Sequence, residues 1–399
     1  MPNTNSVPIS SKSSTYSTNS VIQTLNPFHI WVLAPQLESD DPNLSYYYDF
    51  TQSIQEYTKV FAELGLSWTW QPVTLQNFRE VLTNIATSDT KPLVLNLCDG
   101  DEVNGAPGVS VILEMDRLGL TYTGSDEHFY RITTSKIPMK KAFDKFGVST
   151  ANWRVITEKK GTLKGLGKRI GLPMIIKPAV SGGSMGVTVK NVVNTEAELI
   201  ARVEEIRNGY RGWNLLADGL FVEQFIAGPE YTTFITGSAD DPEHCVVYEP
   251  VQRVFHESLP ETEKFLSFDR LWEIYEDETP MPEQANFYEY TTAPKELIPA
   301  IKALSLEGYK ACGGKGYTRI DIRQDSKTGN LYMLEANAQC GLSEDENYTS
   351  IGAIIKISGV SFTQVIKSIL LDAIRRSERP KTKKRSTKSV ANKSTQLVK

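Results

Sequence analysis

Lys177 closes an apolar run, Met174 to Ile176, and is followed at once by Pro178 and a turn containing Gly182, Gly183 and Gly186. An apolar strand ending on a lysine and opening into glycines lets backbone N–H groups approach an anion without Cβ obstruction, which is phosphate-handling chemistry. Far downstream, Tyr317 to Arg323 alternates apolar and charged residues, and Leu331 to Asn337 ends on a carboxylate and an amide. Asp321, Glu335 and Asn337 therefore offer hard oxygen ligands of the kind Mg²⁺ takes when it bridges nucleotide phosphates. A lysine loop and an oxygen cluster together point to ATP chemistry.

The elements that must position these groups alternate between strand and helix. His29 to Leu33 and Pro92 to Leu97 read as buried strands, and Phe50 to Leu64 and Val109 to Leu118 as helices stopped by Gly65 and Gly119. That order suits a parallel sheet. Ser135 to Phe146 reads as a helix carrying Lys136, Lys140 and Lys141, for which a phosphate-facing row and a solvated face are both open readings. A helix is expected from about Thr195 to Arg207, a strand over Leu220 to Ile226, and a closing helix near Ser361 to Arg375.

Composition narrows the field. The chain has 399 residues, 40 % of them hydrophobic and 23 % charged, so it holds two or three packed domains of ordinary globular make-up. A net charge of −5 gives no reason to expect nucleic acid as a partner. Cys98, Cys245, Cys312 and Cys340 are scattered without a CxxC pair, which points to a reducing compartment, the cytosol, and away from a disulfide framework. No apolar window is long enough to span a membrane. Residues 1–25 are rich in Ser, Thr and Asn and read as a disordered leader, and residues 374–399 as a basic, disordered tail. For that tail an import signal and a plain solvated terminus both remain open.

Five blocks in order carry a family likeness: Tyr122 to Ser125 followed by Lys136; Leu172 to Val187; Phe221 to Thr232; Thr318 to Asp321; and Leu334 to Asn337 with Gly341. Together they resemble the ATP-grasp superfamily, and within it the D-alanine–D-alanine ligase family, from about Asn96 to about Leu371. The resemblance implies an α/β, three-domain ATP-grasp architecture: an N-terminal doubly wound parallel-sheet domain over 26–130, a central subdomain with a glycine-rich lid over 131–216, and a C-terminal subdomain with the metal cluster over 217–373. ATP would lie between the last two. It further implies an ATP-dependent carbon–nitrogen ligase that makes an acyl phosphate and then an amide from small-molecule carboxylate and amine substrates, with neither nucleic acid nor membrane as partner, and a homodimer as in many family members.

Carried over block by block, the resemblance gives Lys136 and Lys177 to the ATP phosphates, with Gly182, Gly183 and Ser184 closing as a lid. Glu223, Gln224, Phe225 and Ile226 would meet the adenine edge and Glu230 the ribose. Asp321, Glu335 and Asn337 would hold Mg²⁺, with Mn²⁺ as a substitute. Arg319 would stabilise the charged intermediate, Gly341 would bring backbone N–H groups to the acyl centre, and Ser184 completes the catalytic set.

The departures bear on substrate. The family's loop after the first strand carries a glutamate that grips the amine of the first amino acid, and Ala34 to Asp49 shows no such pattern. Its partner serine and tyrosine align with Gly183 and Trp272. With that set replaced, D-alanine is not expected as first substrate; a D-alanine–D-alanine ligase and a nucleotide-binding ATP-grasp protein without turnover are the alternative readings. Arg270 is the candidate for the family's loop lysine. Cys340 stands where a proline usually precedes the glycine, and is read as a small packed residue. Thr349 or Ser350 is the candidate for the acceptor carboxylate. Glu344, Asp345 and Glu346 read as a solvated loop or a reader of a basic acceptor, and Tyr46, Tyr47, Tyr48 and Phe50 as a donor wall or as packing.

Overall fold

The structure is a computed structural model that describes residues 23–37, 49–157, 163–276, 278–282, 285–345, 347 and 349–379. Residues 1–22, the loop 38–48 with its three tyrosines, Glu346, Tyr348 and the basic run after 379 lie outside the described residues.

In chain order the strands are β1 (Phe28–Pro35), β2 (Trp68–Val73), β3 (Lys91–Asn96), β4 (Thr121–Tyr122), β5 (Trp153–Ile156), β6 (Met174–Pro178), β7 (Val192–Val193), β8 (Leu220–Gln224), β9 (Glu230–Thr236), β10 (Val246–Val247), β11 (Val251–Phe255), β12 (Tyr288–Thr292), β13 (Tyr317–Gln324) and β14 (Leu331–Ala338). The α-helices are α1 (Thr51–Leu64), α2 (Phe78–Ala86), α3 (Val109–Leu118), α4 (Glu127–Thr134), α5 (Lys136–Phe146), α6 (Leu166–Ile170), α7 (Glu196–Arg207), α8 (Phe268–Trp272), α9 (Ile298–Ala311), α10 (Ser350–Ser358) and α11 (Phe362–Glu378).

These build three sheets. The first, β2-β1-β3-β4, is parallel throughout. Its centre is apolar on both faces: Ile30, Val32 and Leu33 are fully buried, as a parallel sheet covered by helices on both sides requires. The second sheet, β12-β11-β9-β13-β14 with β10 beside β9, is antiparallel, and so is the third, β5-β8-β6-β7. The parallel sheet expected from the N-terminal alternation is present, and the strand and helix bounds read from sequence fall within a few residues of those observed. Among the elements that escaped the sequence reading are β2, α2, α4, β11, β12, α9 and α10; β2 and β12 carry little fully buried surface, so their apolar signal is weak.

Both terminal boundaries shift. Residues 23–25 form a helical turn, and Leu25, placed with the polar leader, is buried in the core that α1, β1 and α11 share. At the other end α11 continues to Glu378, and Ile374, placed in the tail, is buried. Arg376 there bonds Asp372 at 2.9 Å and the Tyr122 carbonyl at 3.0 Å, so a basic residue read as solvated ties the closing helix to the first sheet. Among the described residues no single helix is long and apolar enough to cross a membrane; α10 and α11 are apolar but meet at 101° and pack into the core.

Candidate active site

β13 is the spine of the site. It pairs with β14 so that Arg319 lies opposite Asn337 and Asp321 opposite Glu335, and with β9 so that Asp321 lies opposite Thr232 and Arg323 opposite Glu230. Alternate residues of a strand share a face, so Arg319, Asp321 and Arg323 form one polar row, while Ile320 and Ile322 are fully buried on the other side. On that row the Arg319 guanidinium donates to Asp321 Oδ2 through Nε at 3.2 Å and Nη2 at 3.0 Å, and the Asn337 amide donates to the same oxygen at 3.0 Å. Asp321 Oδ1 is buried and has no hydrogen-bond partner.

From the third sheet comes the lysine cluster. β6 and β8 place Lys177 opposite Phe221, so Glu223, two residues along β8, shares its face, and Lys177 Nζ meets Glu223 Oε1 at 2.7 Å. The second Glu223 oxygen takes Lys140 Nζ, also at 2.7 Å. Lys140 comes from α5, one turn after Lys136, and is 1 % exposed, so the open question about that helix face divides. Lys136 and Lys140 turn inward. Lys136 Nζ donates to the Ser181 carbonyl at 2.9 Å and reaches Glu335 Oε2 at 3.3 Å, joining α5, the glycine turn and β14 at one ammonium. The α5 N-terminus is itself pinned to the end of β6 by Lys136 N–H donating to Ala179 O at 2.8 Å.

Charge pairing decides the protonation of this cluster. Burial alone would raise the Glu223 carboxyl, but Lys140 and Lys177 outweigh it and hold it at about 2. Burial likewise opposes the Glu335 charge, and Lys136, Lys177 and Arg319 hold that carboxyl at about 2. Lys177 is lifted above its ordinary value, Glu223 outweighing the cost of burial, whereas deeper Lys140 is lowered because burial prevails over the same carboxylate.

Glu230 is buried and held from two sides, by Arg253 on β11 and Arg323 on β13; burial would raise its carboxyl, but these guanidiniums keep it below the usual range. Arg323 also donates to the Ile226 carbonyl at 3.2 Å and lies over the Phe225 ring at 5.5 Å. Phe225 and Ile226 are buried, and the Gln224 and Phe225 N–H groups go to Asn152 O and Pro173 O. Lys140, left open in the sequence, is a member, and Arg253 and Arg323 were missed. Spacing is the signal for two of them, Lys140 four residues after Lys136 and Arg323 two after Asp321, and Arg253 has none.

Gly182, Gly183 and Ser184 form a short 3₁₀ turn. The Ser184 hydroxyl donates to Leu266 O at 2.8 Å, and the Trp272 indole donates to Gly183 O at 2.8 Å. The two positions aligned with the family's serine and tyrosine thus touch. Arg270 on the same helix turns away into Glu263, at 2.6 Å. Gly341 is exposed, with nothing within 4 Å of the Cβ direction. Cys340 is buried, and burial pushes its thiol up to about 12, as a packed, unreactive residue should be. Thr349 caps α10, accepting from Gly352 N–H at 3.0 Å, and Ser350 is buried behind it. Glu344 pairs with Lys59 at 2.9 Å.

Among the described residues no three His, Cys, Asp or Glu side chains gather as a preformed metal centre. Two carboxylates, an amide and the orphaned Asp321 Oδ1 fit a divalent ion that keeps most of its ligands from water and phosphate, as Mg²⁺ does.

Comparisons with known proteins agree on one relationship. The family model described as D-ala D-ala ligase C-terminus matches residues 142–371, more than half of the chain. The D-alanine–D-alanine ligase of Idiomarina loihiensis is 27 % identical over 285 residues, covering 69 % of this chain and 78 % of that one. That of Bordetella petrii is 25 % identical over 259 residues, covering 65 % and 70 %. In fold, the crystal structure of a D-alanine–D-alanine ligase from Bacillus anthracis complexed with ATP superposes with a TM-score of 0.61 at 19 % identity, covering 88 % of this chain and 98 % of that one. With an ATP-grasp architecture and a match that runs from α5 to α11, the chain belongs to the D-alanine–D-alanine ligase family.

Proposed function

We propose that this ATP-dependent carbon–nitrogen ligase joins a carboxylate to an amine through an acyl phosphate, acting on amino acids or a small specialised metabolite. The observation that carries the reading is the convergence at Lys136, where the glycine turn, α5 and the carboxylate-bearing β14 meet. Phosphoryl transfer needs positioning and charge neutralisation more than covalent help. Lys136 and Lys177 hold the phosphates, with residues 182–184 as the lid over them. Glu223 through Ile226 border the adenine, and Glu230 the ribose. Asp321, Glu335 and Asn337 hold Mg²⁺, which supplies neutralisation of the transferring phosphoryl group. Arg319, beside Asp321, faces the charge that develops when the donor carboxylate attacks, and the backbone at Gly341 lines the acyl centre.

The donor is a compound other than D-alanine. Support comes from the lid, where an indole ring rests on a glycine in place of the two hydroxyls that read a small zwitterion. D-alanine as donor is the second reading, favoured by relatives that are D-alanine–D-alanine ligases. ADP release with Mg-ATP is the test, against pairs of carboxylates and amines that include D-alanine. Turnover with D-alanine alone overturns the first reading; turnover only with other pairs supports it and names the substrates.

A further inference from the structure

Asp99 follows the C-terminal end of β3, the side of a parallel sheet on which ligands sit. It is the exposed residue between buried Cys98 and buried Gly100. Its loop is held from three elements. Tyr130 on α4 donates to Gly100 O at 2.7 Å, Tyr317 on β13 reaches Asn96 O at 3.5 Å, and the Gln339 amide donates to Asn96 O while accepting from Ser125 N–H at 3.1 Å. Gln339 stands two residues before Gly341 and Asn96 three before Asp99. Both loops therefore leave one anchor, within about 7 Å and 10 Å of chain reach.

The other acids of this loop are spent on structure. Asp101 accepts from the Asn104 backbone and amide, each at 2.9 Å, and Glu102 from Ser110 N–H at 2.6 Å and its hydroxyl at 2.9 Å. Asp99 alone among these three takes no side-chain hydrogen bond or ion pair within the described residues. At the Gln339 anchor, Asn96 Nδ2 and Ser125 Oγ are buried without partners among the described residues, polar atoms that a bound ligand would satisfy.

We propose that Asp99 is the general base that takes a proton from the acceptor ammonium at the acyl centre; this rests on the ligase reading above. The Asp99 carboxylate accepts one proton from R–NH₃⁺. The freed lone pair attacks the carbonyl carbon of the acyl phosphate, a C–N bond forms, the C–O bond to phosphorus breaks, and the second proton leaves with the departing phosphate. Products are the amide, HPO₄²⁻ and protonated Asp99. Although Asp99 is exposed, the protein atoms gathered around it desolvate its carboxyl and bring it up to about 6, where a base remains ionised at neutral pH yet accepts a proton readily. The groups whose fields meet its own are Cys98 on its loop, Tyr130 on α4, Tyr317 on β13 and Cys340 after β14; in the same cluster Glu102 acts on Cys98 and Tyr130, and Asp101 on Tyr130.

Hydroxylamine separates this role from a structural one, because its nitrogen is already neutral at pH 7 and needs no base. With D-alanine and the twenty L-amino acids supplied as a mixture of donors and acceptors, Asp99→Asn is expected to lower amide formation about 10²- to 10⁴-fold. With hydroxylamine added, its hydroxamate formation is expected to stay within about threefold of wild type, and Asp99→Glu to restore part of the amide rate. The wild-type amide rate is expected to fall below about pH 6, whereas the hydroxamate rate, once divided by the fraction of hydroxylamine that is unprotonated at each pH, is expected to show no such limb. Equal loss of both products in Asp99→Asn, or loss of neither, overturns the base alone. Wild-type protein that releases no ADP with these donors or with any of the wider panel of carboxylate and amine pairs overturns the ligase reading and the base with it.

Discussion

Lys177 and Gly183 are six residues apart, yet they belong to regions built on opposite plans. Around Lys177 the chain uses strands, and charges sit against charges: two lysines on Glu223, a third on Glu335, an arginine and an asparagine on Asp321, two arginines on Glu230. Around Gly183 it uses a short turn and a short helix, joined by two hydrogen bonds to backbone carbonyls and one indole ring. The first plan suits groups that, on the proposed function, meet a phosphate chain of unvarying geometry. The second leaves contacts that can be exchanged one at a time, so a ligase scaffold can keep its nucleotide chemistry while its substrate end diverges.

The largest expected effect belongs to the first region. Glu223→Gln leaves Lys140 and Lys177 facing one another in a buried site, and removing one partner of a buried ion pair costs about 3–5 kcal/mol. Denaturant unfolding at pH 7 should show a loss of that size. Acid sharpens the point. The Glu223 carboxyl sits at about 2 in the folded chain, below its ordinary 4.5, so its stabilisation is present above about pH 4.5 and is lost as pH falls toward 2. Glu223→Gln should lack that component of the acid transition. An unaltered unfolding curve would break the comparison, since it would mean that the charge cluster does not hold the nucleotide region together.

Next in size is Arg319→Gln, which on the proposed mechanism removes a cation from the place where negative charge develops. A loss of about 10²- to 10³-fold in kcat is expected, as for other preorganised charge stabilisers. The variant should unfold at nearly the wild-type denaturant midpoint, because Asp321 keeps Asn337 as a partner and Arg319 is partly exposed. A kcat loss below tenfold would move Arg319 from chemistry to scaffolding.

The contrast between regions also explains what could be read in the chain. Met174 to Lys177 and Tyr317 to Arg323 announce themselves because an apolar strand interrupted by a charge has few other meanings, and the residues they carry are found on facing strands. Lys140 was left undecided since a lysine on an amphipathic helix looks the same whether it faces water or Glu223. Arg253 belongs to a strand that only its pairing with β9 brings to Glu230. Asp99 lies in a loop with two other acids, and nothing in their order says that Asp101 and Glu102 are tied up while Asp99 is free. Each of these depends on tertiary register, which a local pattern does not encode.

The smallest expected effects lie in the lid. Trp272→Phe keeps an aromatic ring on Gly183 and deletes the one N–H that holds it, a hydrogen bond of about 0.5–1.5 kcal/mol. Trp272 is 42 % exposed, so the unfolding midpoint should hardly move. Gly183→Ala acts on the same contact from the other side. Gly183 has φ +55°, where a Cβ is strained, and that Cβ would stand 3.0 Å from the indole ring, so the turn and the ring must separate. Trp272→Phe should alter kcat/KM for the carboxylate donor by about two- to tenfold and leave KM for ATP unchanged, whereas Gly183→Ala, in the turn proposed to close over the phosphates, should shift both constants. Equal changes in both constants for Trp272→Phe would show that the ring and the nucleotide region act as one unit, and the separate evolution of the two ends would then need a boundary elsewhere in the chain.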